Sequence, residues 1–305
     1  MRPDRLEQAL RFLHGRAGGR VNDQIYQITY RVVRIAAHAG LSQQHLARFD
    51  QIAASVKREY PAEHGLTAKN RRLVEHLDDP AFVDRLVTLP ARLAEAATRI
   101  ADKRQAASLA RDAVAVELLL TCTMRLANLV DLRLGETIRR YGEGRNARWV
   151  IDLPAERVKN RLAMRYTLPP ESGRLIEWYL ASGHQYWCGS ASPWLFPDRR
   201  GNHLDPHFLS AHLARRAHRY VGARITCHQY RHLCAELLMR EDPNGIGVVG
   251  QHLGHKSLNT TRRFYAREQT RIATQRYHEV LLGRRARATA APRTRGRATP
   301  IREPK

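Results

Sequence analysis

His228 and Arg231 stand three residues apart in "ITCHQYRH", a spacing that puts both side chains on one face of a helix. Thr226 is placed to cap that helix, so the pair falls in its first turn, where free N–H groups and the helix dipole favour an anion. Arginine adds a bidentate fork for phosphate oxygens, and histidine adds a group that gives or takes a proton near neutral pH. Such a pair suits a phosphate that is held and then reacted upon. Further on, "LGHKSLNTTRRFY" ends a helix at Gly254, presents His255 directly after it, and offers Ser257 as the cap of a helix leading to Tyr265. A phenol so placed is a candidate nucleophile. With a pKa near 10, only about 0.1% of it is phenolate at pH 7, so a base and cations are needed to activate it. Two plainer readings of the same residues stay open at this point. One is a solvated polar helix start. The other is a zinc site from Cys227, His228, His232 and Cys234, whose ligands fall on different faces of one short helix and need completing from elsewhere. His232 and His252 read as structural, and Tyr277 is the local competitor of Tyr265.

The elements that must hold these residues are mostly helical. From Gln105 to Leu120 the run "LARDAVAVELLL" is apolar on most sides and predicts a buried helix, followed after "TCTMR" by a shorter one in "LANLVDLRL". The period then changes. In "ARWVIDLPAERVKNRLAMRYTLP" two β-rich segments flank a charged turn, which predicts a hairpin packed on the helices. Helices return in "ESGRLIEWYLASG" and "DPHFLSAHLARRAHRYV". Residues 5 to 60 carry apolar positions at helical spacing, among them Ile25, Ile28, Val32, Val33, Ile35 and Ala36, and breaks at Pro61, Gly65, Pro80 and Pro90 then delimit short basic helices. The expected fold is mainly α with a small antiparallel β-sheet (α+β). Its expected division is a helical, basic N-terminal domain over residues 1–100, a second domain over 101–282, and a basic, disordered tail over 283–305. That tail holds eight Arg or Lys against one Glu.

Over 305 residues, 52 Lys and Arg against 29 Asp and Glu give a net charge of +23 and a pI near 10.9. Such a surface seeks a polyanion. No apolar run approaches the roughly 18 residues of a membrane span, and "MRPDRLEQALRFLHGR" lacks the apolar core of a signal peptide, so no membrane partner and a cytoplasmic location are expected. Cys122, Cys188, Cys227 and Cys234 form no CxxC pair, which argues against a disulfide framework and fits a reducing compartment. "GRAGGR" near residue 15 does not have the spacing of a nucleotide-binding loop.

In their order along the chain, these boxes resemble the tyrosine recombinases, the family of phage integrases, chromosome-dimer resolvases and transposon recombinases. "HQYRH" and "LGHKSLNTTRRFY" are similar to its C-terminal signature. "TCTMRLANLVDLRLGE" resembles its earlier arginine box, "AERVKNRLAMRYTLP" its hairpin lysine, and "WLFPDRRGNHLDPHFLSAHLARRA" its approach to the second box. The likeness runs over roughly residues 105 to 280. Cys227 departs from it by standing where the family often has proline, and the interval from His255 to Tyr265 is one residue longer than in many members. The resemblance implies a site-specific recombinase or integrase of a mobile genetic element that breaks and rejoins DNA through a 3′-phosphotyrosyl intermediate, with no cofactor, ATP or metal. It implies that Arg125 and Arg231 clamp the scissile phosphate, that Lys159 protonates the leaving 5′ oxygen, and that His228 serves as acid or base towards the nucleophile. His255 would donate a hydrogen bond to the phosphate, and Tyr265 would attack. The implied partners are double-stranded DNA, gripped in a clamp, three further copies in a tetrameric synapse, and accessory proteins that bend DNA or set direction. Two alternatives keep the charge and fold but change the activity: a type IB topoisomerase-like relaxing enzyme and a non-catalytic DNA-binding relative.

Overall fold

The structure, a computed structural model, describes residues 2–60, 66–144, 147–188, 192–242 and 244–254, with the isolated positions 274, 278 and 282. It divides into two compact units, Met1–His64 and Gly65–Lys305. Among its described residues the smaller unit is built from helices α1 (Pro3–Arg16), α2 (Asp23–His38) and α3 (Gln43–Glu59). Asn22 caps α2 by accepting from the Ile25 N–H at 3.0 Å. Leu6, Leu10, Ile25, Phe49, Ile52 and Val56 recur at helical spacing on the facing sides and close its core.

In the larger unit, α4 (Ala68–Glu75), α5 (Pro80–Val87) and α6 (Leu89–Arg99) lead to the central helix α7 (Lys103–Thr121), then to the short α8 (Leu126–Val130). From Ala107 to Leu119, α7 is buried almost without interruption, as its apolar run predicts, and α6 and the later helix α9 (Pro170–Tyr179) pack on it. A three-stranded antiparallel sheet follows, β1 (Ile138–Tyr141), β2 (Arg148–Leu153) and β3 (Met164–Thr167), in that spatial order. Val150 pairs with Thr167 and Leu153 with Met164, so β2 and β3 are the two β-rich segments of the sequence, joined by the stretch that carries Lys159. Helices α9 (Pro170–Tyr179), α10 (Gln185–Cys188), α11 (Pro206–Val221), α12 (Cys227–Glu241) and α13 (Ile246–His252) complete the described fold. The expected class, mainly α with a small antiparallel sheet, holds. No described helix is long and apolar enough to cross a membrane.

Compactness does not divide the chain at residue 100. Leu73, Leu77, Phe82, Leu86, Leu89 and Leu93 of α4 to α6 share one core with α7, the sheet and α12. Helices α4 to α6 therefore belong to the larger compact unit.

Candidate active site

Arg231 lies on α12, 5% exposed, and its guanidinium donates to two backbone carbonyls from distant parts of the chain. One is Thr123 O. The other is Leu253 O, at 2.8 Å. Thr123 is a β-branched residue at φ +45, a conformation such residues rarely adopt unless the surroundings hold them there. A longer contact from its own hydroxyl to His252 O, 3.4 Å, adds to that hold. Two residues later Arg125 caps α8 with extended backbone, its side chain half-buried. One buried arginine thus fixes both the loop that delivers Arg125 and the segment that runs into His255.

Lys159 is presented by tight turns between β2 and β3. The Arg161 N–H donates to Val158 O at 2.8 Å, closing a four-residue turn with Lys159 and Asn160 at its centre. Val158 is 2% exposed and plants this turn in the core. Two asparagines brace it from either side. Asn128, on α8 one helical turn beyond Arg125, donates to Arg157 O at 2.9 Å, and Asn160 donates to Gly254 O at 2.8 Å. The Lys159 side chain itself is exposed.

His228 sits in the first turn of α12, as its spacing from Thr226 predicts. Gln229 secures that start: its side-chain oxygen accepts from the Thr226 N–H at 2.9 Å, and its amide donates to Asn70 of α4 at 3.1 Å. The His228 ring reaches the surface with the edge of His232 against it, 4.8 Å between centroids at 82°. Desolvation by the surrounding protein, then the positive charges of Arg231, Arg125 and Lys159, hold its pKa below the ordinary histidine value. The charges of residues scattered over a hundred positions therefore act on this one imidazole and favour its neutral form. In an NMR titration of the free protein, the His228 ring is expected to titrate with a midpoint under about 6.5. A midpoint above that value would mean that desolvation and the nearby positive charges do not act on the ring together.

The structure thus brings together Arg125, Lys159, His228 and Arg231. His255 and Tyr265 lie outside the described residues. Cys227 is 1% exposed and packs in the core, with its thiol pushed up to about 11 by burial, so it is an apolar filler in this helix turn. His232 is buried behind His228, and His252 stacks edge-on against Tyr166, 5.8 Å between centroids. Asn128, Asn160 and Gln229 were not singled out by sequence reasoning. Only Gln229 left a signal, the Thr-x-x-Gln spacing of a capping box.

The family model described as the Phage integrase family matches residues 91–271, more than half of the chain. Among solved structures, the XerH site-specific recombinase bound to difH substrate in a pre-cleavage complex aligns at 17% identity with a TM-score of 0.45, covering 78% of this chain and 66% of that one. XerA recombinase aligns at 17% identity and a TM-score of 0.40, covering 78% and 92%. A lambda integrase dimer bound to a COC′ core site aligns at 16% and 0.33, covering 77% and 75%. No curated protein matches the chain.

Proposed function

The chain belongs to the phage integrase family, and from that premise we propose that it is a site-specific DNA strand transferase working through a 3′-phosphotyrosyl intermediate. The observation that carries this reading is that buried Arg231 of the His228 helix start ties the loop of Arg125 to the segment ending at Gly254, to which Asn160 also ties the Lys159 turn. Attack on a phosphodiester gathers negative charge on the non-bridging oxygens, which two guanidinium groups are suited to stabilise. The Tyr265 oxygen forms the new bond to phosphorus and gives its proton to neutral His228. The bond to the 5′ oxygen breaks, and Lys159 supplies the proton that oxygen takes up. His255 donates to the phosphate. A 5′ hydroxyl from a second strand then reverses the sequence, so the bond energy is kept and the cycle calls for neither ATP nor a metal.

Double-stranded DNA is the proposed partner, in the cytoplasm. Beyond the net charge of +23, an open pocket of about 440 Å³ beside the start of α12 is lined by Lys69, Arg72, His76, His218, Arg224 and Gln229, with no acidic residue. A strand leaving the active site would find cations there for its next phosphates. In this division of labour residues 1–100 grip DNA, 101–282 carry the chemistry, and 283–305 add sequence-blind attraction. Four protomers on two sites complete an exchange, since each active site cuts one strand. Accessory bending or directionality proteins belong to the same proposal.

The test is a duplex nicked just beyond the cut, so that the short 5′-hydroxyl fragment diffuses away and religation fails. A covalent protein–DNA adduct is expected, with the DNA on Tyr265 by peptide mapping. An adduct on Tyr277 instead would overturn the choice of nucleophile. Relaxation of supercoiled DNA lacking paired sites, with no exchange, would support the topoisomerase-like reading, and binding without any adduct would support the non-catalytic one.

A further inference from the structure

Asn160 connects two parts of the active site that the chain keeps nearly a hundred residues apart. Its side-chain amide donates to the carbonyl of Gly254 at 2.8 Å. Lys159 precedes it, and His255 follows Gly254 in sequence. The acceptor side of this contact is held by two further bonds, from the Gly254 N–H to Gln251 O at 2.9 Å and from Arg231 to Leu253 O at 2.8 Å. Gly254 has φ +61, a region that favours glycine, and a Cβ there would fall 2.7 Å from Met164 Sδ, at the start of β3. The donor side is held as well, because Asn160 is a central residue of the turn closed by Arg161 N–H to Val158 O, and Val158 is buried. The bond therefore joins two stiff backbones and leaves the exposed Lys159 side chain as the free end of the turn.

We infer that Asn160 is a positioning residue for proton donation to the leaving group, fixing the Lys159 turn against the Gly254 carbonyl so that the ammonium stands where the 5′ oxygen departs. The inference rests on the proposed role of Lys159 as general acid. A turn released from this bond keeps its lysine and its charge but loses its place. A displacement of about 1 Å in a proton donor can cost on the order of 100-fold.

The experiment compares two substrates. One has an ordinary phosphodiester at the cut, and the other has sulfur in place of the bridging 5′ oxygen. A thiolate, from a thiol of pKa about 8.5, leaves without the proton that an alkoxide needs. Asn160→Ala and Asn160→Asp both remove the donor, and the second keeps the side chain's shape. Each is expected to cleave the ordinary substrate roughly 10–100-fold more slowly than the natural protein and the sulfur substrate within about threefold of it. Equal losses on both substrates would show a merely structural role and overturn the inference, as would no loss on either. Lys159→Ala, run alongside, separates the two possible failures. If it is rescued by sulfur while the Asn160 variants are not, only the role of Asn160 falls. If Lys159→Ala is not rescued, the general-acid reading of Lys159 has failed and the inference falls with it.

Discussion

Arg231→Ala is expected to lower single-turnover strand cleavage by about 10³-fold, the scale set by removing one well-placed donor to the charge of a transition state. The same substitution should also be felt in the fold. Arg231 supplies the hydrogen bonds to Thr123 O and Leu253 O, both on buried residues, and a carbonyl left buried without its donor costs about 1–3 kcal/mol. Thr123 at φ +45 then loses the partner that holds it, and Arg125 two residues on loses its place. The two effects can be told apart by Arg231→Lys. Lysine keeps the charge but has no planar fork to serve two carbonyls and a phosphate together. It should therefore recover little cleavage even at a temperature well below its melting point. Cleavage by Arg231→Lys within tenfold of the natural protein would show that charge alone suffices and that the fork has no part in catalysis.

Much of this arrangement was legible in the sequence because it depends on local rules. The apolar run of α7 runs on past any amphipathic period and is buried on nearly all sides. The β-rich pattern on either side of Lys159 becomes β2 and β3, and Thr226 caps α12 where its residue type favours it. What escaped was set by tertiary contact. β1 is four residues long with only Ile138 buried, so it carries no alternation to read, and it exists because β2 offers it an edge. α4 to α6 look like a basic extension of the N-terminal helices in sequence, yet their leucines lie in the larger core. The braces at Asn128 and Asn160 reach 29 and 94 residues along the chain, and an asparagine in a turn has no residue pattern that says which carbonyl it will meet. The candidate residues Arg125, Lys159, His228 and Arg231 were therefore visible in advance, and the bonds that hold their segments in place were not.

The largest stability effect should come from a residue outside the active site. Asp112 of α7 is fully buried beside Arg111, itself 2% exposed. One carboxylate oxygen accepts from Arg111 at 3.1 and 3.3 Å; the other accepts from Arg216 at 3.0 Å and lies 2.9 Å from His212 Nδ1, both on α11. The Arg111 guanidinium also lies 5.0 Å from the centroid of the Trp187 ring. Asp112→Ala leaves Arg111 buried without its anion, which should cost about 3–5 kcal/mol in denaturant unfolding. Replacing Arg111 and Asp112 together by apolar residues of similar volume should recover most of that loss, because the desolvation of both charges disappears with them. If the double variant were as unstable as the single one, the cost would lie in packing rather than in an orphaned charge. The carboxyl predicts a pH dependence too. Burial alone would raise its pKa, but Arg111, His212 and Arg216 outweigh burial and hold it below the ordinary value. Since it titrates lower in the folded chain than the roughly 3.9 of an unfolded aspartate, its stabilisation is complete above that pH and drains away as the pH falls below it. Asp112→Asn should flatten the acid limb of the stability curve for this reason. The network joins α7, which ends at the Thr123–Arg125 loop, to α11, which leads into the turn before His228. Loss of Asp112 should therefore loosen both segments that carry the proposed phosphate ligands before the chain unfolds, and strand cleavage should fall at temperatures where the helices are still formed.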